Sequence, residues 1–171
     1  MVQLRFLRTR LQFVQLAFAL LLPLMSSGQN VEGILEQAQT LVAKDQLDSA
    51  QYLYQKAYQD GTYPLRSLAG LITVALSKSQ LQAADSLCLL GEAILETQQT
   101  SDRLGLCQYW SSKGNFFTKN SQLQAALNAQ RKVIELSQGL EESPAVYAYA
   151  LFHTALTFEK LTAFDSSLYY A

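Results

Sequence analysis

The chain has 171 residues, 49% of them apolar, with 8 glycines and 3 prolines. That composition can bury a core and argues against a disordered tail. The net charge is −1 with no basic cluster, which argues against nucleic-acid binding.

The N-terminus reads as a targeting segment. Arg5, Arg8 and Arg10 come first, an apolar run from Leu11 to Met25 follows, and Ser26 and Gly28 are small. Basic, then apolar, then small is the order of a secretory signal peptide, here with cleavage after Gly28. The competing reading is a retained anchor. Fifteen helical residues span roughly 22 Å, short of the roughly 30 Å hydrocarbon core, and Gln12, Gln15 and Pro23 weaken that reading further. The expectation is a signal peptide over 1–28, a helical domain over 29–171, and a periplasmic or extracellular location without a membrane after cleavage. Beyond residue 28 the chain keeps all 14 acids and 10 of its 13 bases, a mildly acidic balance near −4.

The next elements repeat. Predicted helices at 31–44, 65–77, 101–119 and 143–160 each precede a polar turn and a second helix. Ser143 and Pro144 suit the start of the fourth. The second helices open on Leu47, Leu81, Leu123 and Phe164. Three residues later stands a small residue: Ala50, Ala84, Ala126, Ser167. Those small positions are 34, 42 and 41 apart, so the unit is helix, turn, helix. Gly114 sits inside the third unit's first helix, where glycine costs about 1 kcal/mol relative to alanine. Placed against Ala126, it lets the helices of its unit approach, with Trp110 and Phe117 filling the space on either side. Ala38 and Ala155 hold the same place in units one and four. In unit two Ile72 stands there, and the nearby Gly70 suggests a shifted register.

The patterns Trp110–Gly114–Phe117–Ala126 and Leu47–Ala50–Tyr54–Ala57 resemble tetratricopeptide repeats. The resemblance covers about Val31 to Ala171. The longer spacings are similar to the long-helix variety of kinesin light chains and bacterial multi-repeat proteins. Cys88 and Gly91 depart from the pattern in unit two, and Gln130 in unit three. The resemblance implies an all-α, right-handed superhelical solenoid of antiparallel helix pairs, about three and a half repeats, whose concave groove binds a protein or peptide. Groove positions are then Leu35, Gln39 and Val42 in unit one, Ser111, Asn115 and Thr118 in unit three, and Phe152, Leu156 and Glu159 in unit four. By resemblance, Asn115 is a contact for a peptide backbone. Leu35, Phe152 and Leu156 do not supply the cations that capture of a C-terminal carboxylate would need.

Catalytic chemistry has little footing. His153 is the one histidine, without metal-ligand companions, and reads as packed or groove-facing. Glu141 and Glu142 read as a solvated turn. There is no Gly-x-Ser-x-Gly elbow and no glycine-rich phosphate loop. No cofactor or metal is expected, and Cys88 and Cys107 read as buried thiols rather than a bridge. The fourth unit stops about two turns into its second helix, with Leu168, Tyr169 and Tyr170 uncovered. That is expected of a longer protein's N-terminal part, or of an open end that associates with another chain, including a second copy. The expected function is a non-enzymatic exported scaffold. The alternative is the sensory or docking region of a larger bacterial protein bearing a caspase-like CHAT peptidase or a sensor histidine kinase.

Overall fold

The computed structural model describes residues 27–97, 100–138 and 144–169, with side chains described over 31–97, 100–138 and 147–162. Among these residues seven helices follow one another: α1 (Ser27–Ala43), α2 (Leu47–Asp60), α3 (Pro64–Ser77), α4 (Leu81–Thr97), α5 (Arg103–Lys119), α6 (Leu123–Ser137) and α7 (Pro144–Tyr169). Successive helices pack on each other, and the first helices of neighbouring units also touch: α1 with α3, α3 with α5, α5 with α7. The result is an all-helical repeat solenoid. Residues 1–26 and Ser143 lie outside the described residues, and the expected cleavage point falls in the first turn of α1. No described helix is long and apolar enough to cross a membrane.

The three turns within units share one geometry. Asp45, Ser79 and Ser121 take left-handed backbone at φ 59°, 58° and 59°. Each is followed by a glutamine whose N–H reaches back five residues: Gln46 to Leu41, Gln80 to Ala75 and Gln122 to Phe117, at 2.8–2.9 Å. This is a Schellman closure, which satisfies orphan carbonyls at a helix end. The same glutamine's carbonyl accepts from Ala50, Ala84 or Ala126 and so starts the next helix.

Unit four departs from this expectation. The turn near residue 162 does not form, and α7 runs on as one 26-residue helix. Thr162 stands where Asp45, Ser79 and Ser121 stand in the other units. A β-branched residue resists left-handed backbone, and the Thr162 hydroxyl donates to the carbonyls of Phe158 and Glu159 one turn back. Among the described residues no second helix folds over Ala155, which is exposed rather than packed. The expected contacts of Phe164 and Ser167 concern side chains outside the described set, as do those of Leu168, Tyr169 and Tyr170.

Each second helix buries residues at i, i+4 and i+7: Ala50, Tyr54, Ala57; Ala84, Cys88, Gly91; and, among others, Ala126, Gln130, Val133. That spacing keeps one stripe on the core. Ala38 is buried against the first pair. Gly114 faces α6, with a hypothetical Cβ 3.5 Å from Gln130, 3.6 Å from Ala129 and 3.7 Å from the Ala126 carbonyl. The most buried aromatics of α5 are Tyr109 and Phe116, and they pack with residues of α3 and α4 instead. Trp110 and Phe117, expected to fill that space, are only partly buried. Their offset by one residue puts them about 100° further round the helix.

Gly70 marks no shift of register. It seats the ring of Tyr54, and Ile72 is fully buried at its aligned place. Gly91 in turn seats the ring of Tyr109. The Lys113 ammonium, 4% exposed as a residue, pairs with Glu92 of α4 and lies 4.9 Å from the centre of the Trp110 ring. Burial of a charge is tolerable only with such partners. Cys88 and Cys107 are free and buried; burial pushes the Cys88 thiol up to about 12 and raises that of Cys107 too. Such thiols are poor nucleophiles.

Candidate concave groove

The first helices line one concave face. Its main cavity, about 400 Å³, takes Gln39 and Val42 from α1, Arg66, Ala69, Gly70 and Thr73 from α3, Gln108, Ser111, Ser112 and Asn115 from α5, and Tyr149 from α7. Tyr54 reaches it from α2, and burial pushes its phenol up to about 12. A second cavity of about 340 Å³ adjoins it through Thr73 and Asn115, which line both. Thr118, Leu156, His153, Lys119 and Lys160 line this second part.

The expected groove residues divide accordingly. Gln39, Val42, Ser111 and Asn115 lie in the main cavity, and Thr118 and Leu156 in the second. Leu35 is 6% exposed and belongs to the core, reaching only the edge of a smaller side cavity. Phe152 is 59% exposed and Glu159 is exposed; neither lines a described cavity. On α7 these two are turned outward from the side that packs on α6, which carries Ala150 and Thr157.

Hydroxyls and carboxamides are the more numerous lining side chains, although most of the lined surface is apolar. The Asn115 amide donates to the Tyr149 hydroxyl at 3.1 Å, and the Thr73 and Ser112 hydroxyls are 3.2 Å apart. Thr118 donates to the Gly114 carbonyl. The sequence reading missed Arg66, Gln108, Thr73 and Tyr149. The repeat itself was the available signal: Glu32, Arg66, Gln108 and Tyr149 stand fifteen residues before Leu47, Leu81, Leu123 and Phe164.

Arg66 contributes little free charge. Its guanidinium binds both carboxylate oxygens of Asp102 at 2.7–3.1 Å and Glu32 at 3.1 Å, and lies 4.5 Å from the Tyr63 ring centre. Burial opposes its charge, but Asp102 and then Glu32 more than offset that and raise its pKa. Asp102 also caps α5, accepting from the Gly105 N–H at 3.0 Å. One network thus ties three units together along the groove rim.

Around His153, the ring lies 4.1 Å from that of Tyr149. Burial first, and then Lys160, hold its pKa below the ordinary 6.5. Among the described residues no cluster of His, Cys, Asp or Glu could hold a metal ion.

No family model and no curated protein sequence matches this chain. Its fold is similar to the NMR structure of the first TPR domain of the human RPAP3 protein, with a TM-score of 0.58 and 15% identity, covering 80% of this chain and 96% of that one. At that identity the likeness speaks for the fold, and the chain has a tetratricopeptide-like repeat fold.

Proposed function

Taking the tetratricopeptide-like fold as premise, we propose that this chain is a non-enzymatic exported scaffold that holds an extended segment of a protein partner in its concave groove. The observation that carries the reading is the main cavity itself. Four successive first helices line it with carboxamides, hydroxyls and short apolar side chains, and its one guanidinium is already paired. Carboxamides both donate and accept, which suits the alternating N–H and C=O of a polypeptide backbone. Export rests on the basic, apolar, small order of the first 28 residues.

A photo-crosslinking residue placed at Ser111, in the groove, and at Gln55, exposed on α2, tests this in the exporting cell. The expected result is one partner captured from Ser111 and lost in Asn115→Arg. Equal labelling from both positions would sink the groove reading.

A second reading is self-association through α7. Tyr147, Leu151, Ala155 and Phe158 form one exposed apolar face there, whereas the exposed α1 positions Gly33, Glu36, Gln37 and Thr40 are not apolar side chains. Copies would then pair α7 to α7 rather than head to tail. Sedimentation at rising concentration checks it: a dimer abolished by Ala155→Glu supports it, and a monomer throughout rejects it.

A further inference from the structure

The first helices set equivalent residues in rows across the groove. The row eight residues before Leu47, Leu81, Leu123 and the aligned Phe164 reads Gln39, Thr73, Asn115, Leu156 and is uncharged. The row four residues before reads Ala43, Ser77, Lys119, Lys160. This row turns cationic at units three and four, and both lysines line the second cavity beside His153 and Asn115. No aspartate or glutamate lines that cavity.

The two cations differ in freedom. Lys119 donates to the Leu76 carbonyl at 2.8 Å, which fixes its ammonium at the end of α3 and leaves two donors. Lys160 is exposed, and neither lysine pairs with a carboxylate among the described residues. The opposite end of the groove differs, since Arg66 is already neutralised by Asp102 and Glu32. An anion entering the second cavity therefore meets uncompensated positive charge, in a partly enclosed place where screening is weaker than on an open surface.

We propose that this second cavity receives the side-chain carboxylate of an acidic residue within an extended polypeptide, whose neutral part lies along Gln39, Thr73 and Asn115. The proposal rests on the groove reading above and specifies the partner's chemistry. The shared walls at Thr73 and Asn115 make the two cavities one path. Packed helices lie about 8–10 Å apart, and an extended chain advances about 3.3 Å per residue. Each first helix thus meets about one residue in three, and a single acid suffices for the Lys119–Lys160 end.

The test uses three twelve-residue peptides of Ala, Gln and Val, acetylated and amidated so that only one side chain carries charge. The central residue is Glu, Gln or Lys. Binding is followed by NMR of the isotope-labelled chain through the Asn115 side chain and the His153 imidazole, the chain's one histidine. The Glu peptide is expected to bind about tenfold more tightly than the Gln peptide, the weight of one charge-assisted hydrogen bond. Lys160→Gln should erase that preference, and Lys160→Glu should transfer it to the Lys peptide. Equal binding of all three peptides with Asn115 responding overturns the acidic pocket and leaves the groove reading standing. If no peptide moves either reporter, the groove reading falls and the pocket falls with it.

Discussion

Two junctions between units solve the same packing problem in opposite senses. Between units one and two, the second helix supplies the large ring and the first helix the gap: Tyr54 of α2 lies on Gly70 of α3. Between units two and three the roles exchange, and Tyr109 of α5 lies on Gly91 of α4. A Cβ on either glycine would come within 2.2 Å of the facing ring. What the solenoid conserves at a junction is thus the combined volume of facing positions, and either helix can contribute it. The surroundings still differ. Tyr54, 4% exposed, borders the main groove cavity, while Tyr109 is fully enclosed and its hydroxyl donates to the Cys88 carbonyl at 2.6 Å.

That difference predicts unequal damage from the same substitution. Gly91→Ala should cost about 3 kcal/mol in chemical denaturation, because a locked Tyr109 cannot yield. Gly70→Ala should cost about half as much, because Tyr54 can swing into the groove and narrow it. Equal losses would mean that the groove offers Tyr54 no room. Removing the hydroxyls sharpens the contrast. Tyr109→Phe should lose about 1 kcal/mol for its buried hydrogen bond, whereas Tyr54→Phe, whose hydroxyl bonds no described residue, should leave the denaturation midpoint nearly unchanged.

The third junction extends the comparison. Gln130 aligns with Tyr54 and is buried; its amide donates to Thr157 of α7 at 3.1 Å, but its Oε1 has no described partner. Gln130→Met should gain up to about 1 kcal/mol by removing that desolvated oxygen from an otherwise similar shape. A loss instead would reveal a partner for the oxygen, a bound water being the first to seek. Gly114 allows a change of either sign. A Cβ there meets nothing nearer than 3.5 Å, so Gly114→Ala should stabilise by about 0.5–1 kcal/mol from helix propensity. Gly114→Leu, with three more carbons aimed at Ala129 and Gln130, should destabilise by about 2 kcal/mol. Thermal melts of the pair separate the two signs.

Much of the fold was legible because it is written locally. The spacing of Leu47, Leu81 and Leu123 located the second helices. The turn residues Asp45, Ser79 and Ser121 tolerate left-handed backbone, a property each carries alone. Half of the groove was legible for the same reason: Ser111 and Asn115 follow from their place in the repeat. Leu35 and Phe152 were misplaced because a residue's distance from the groove depends on how neighbouring units rotate, and no single helix encodes that.

The sequence by itself determined the repeat, its period, its polar turns and the groove places of Gln39 and Asn115, since each depends on a residue and its near neighbours in the chain. Only the tertiary structure decided which helix fills each junction, that Gly70 and Gly91 are seats for tyrosine rings, and that Arg66 is neutralised across three units. Those outcomes depend on volumes and charges brought together from more than 15 residues apart, and such pairings exist only once the helices have stacked.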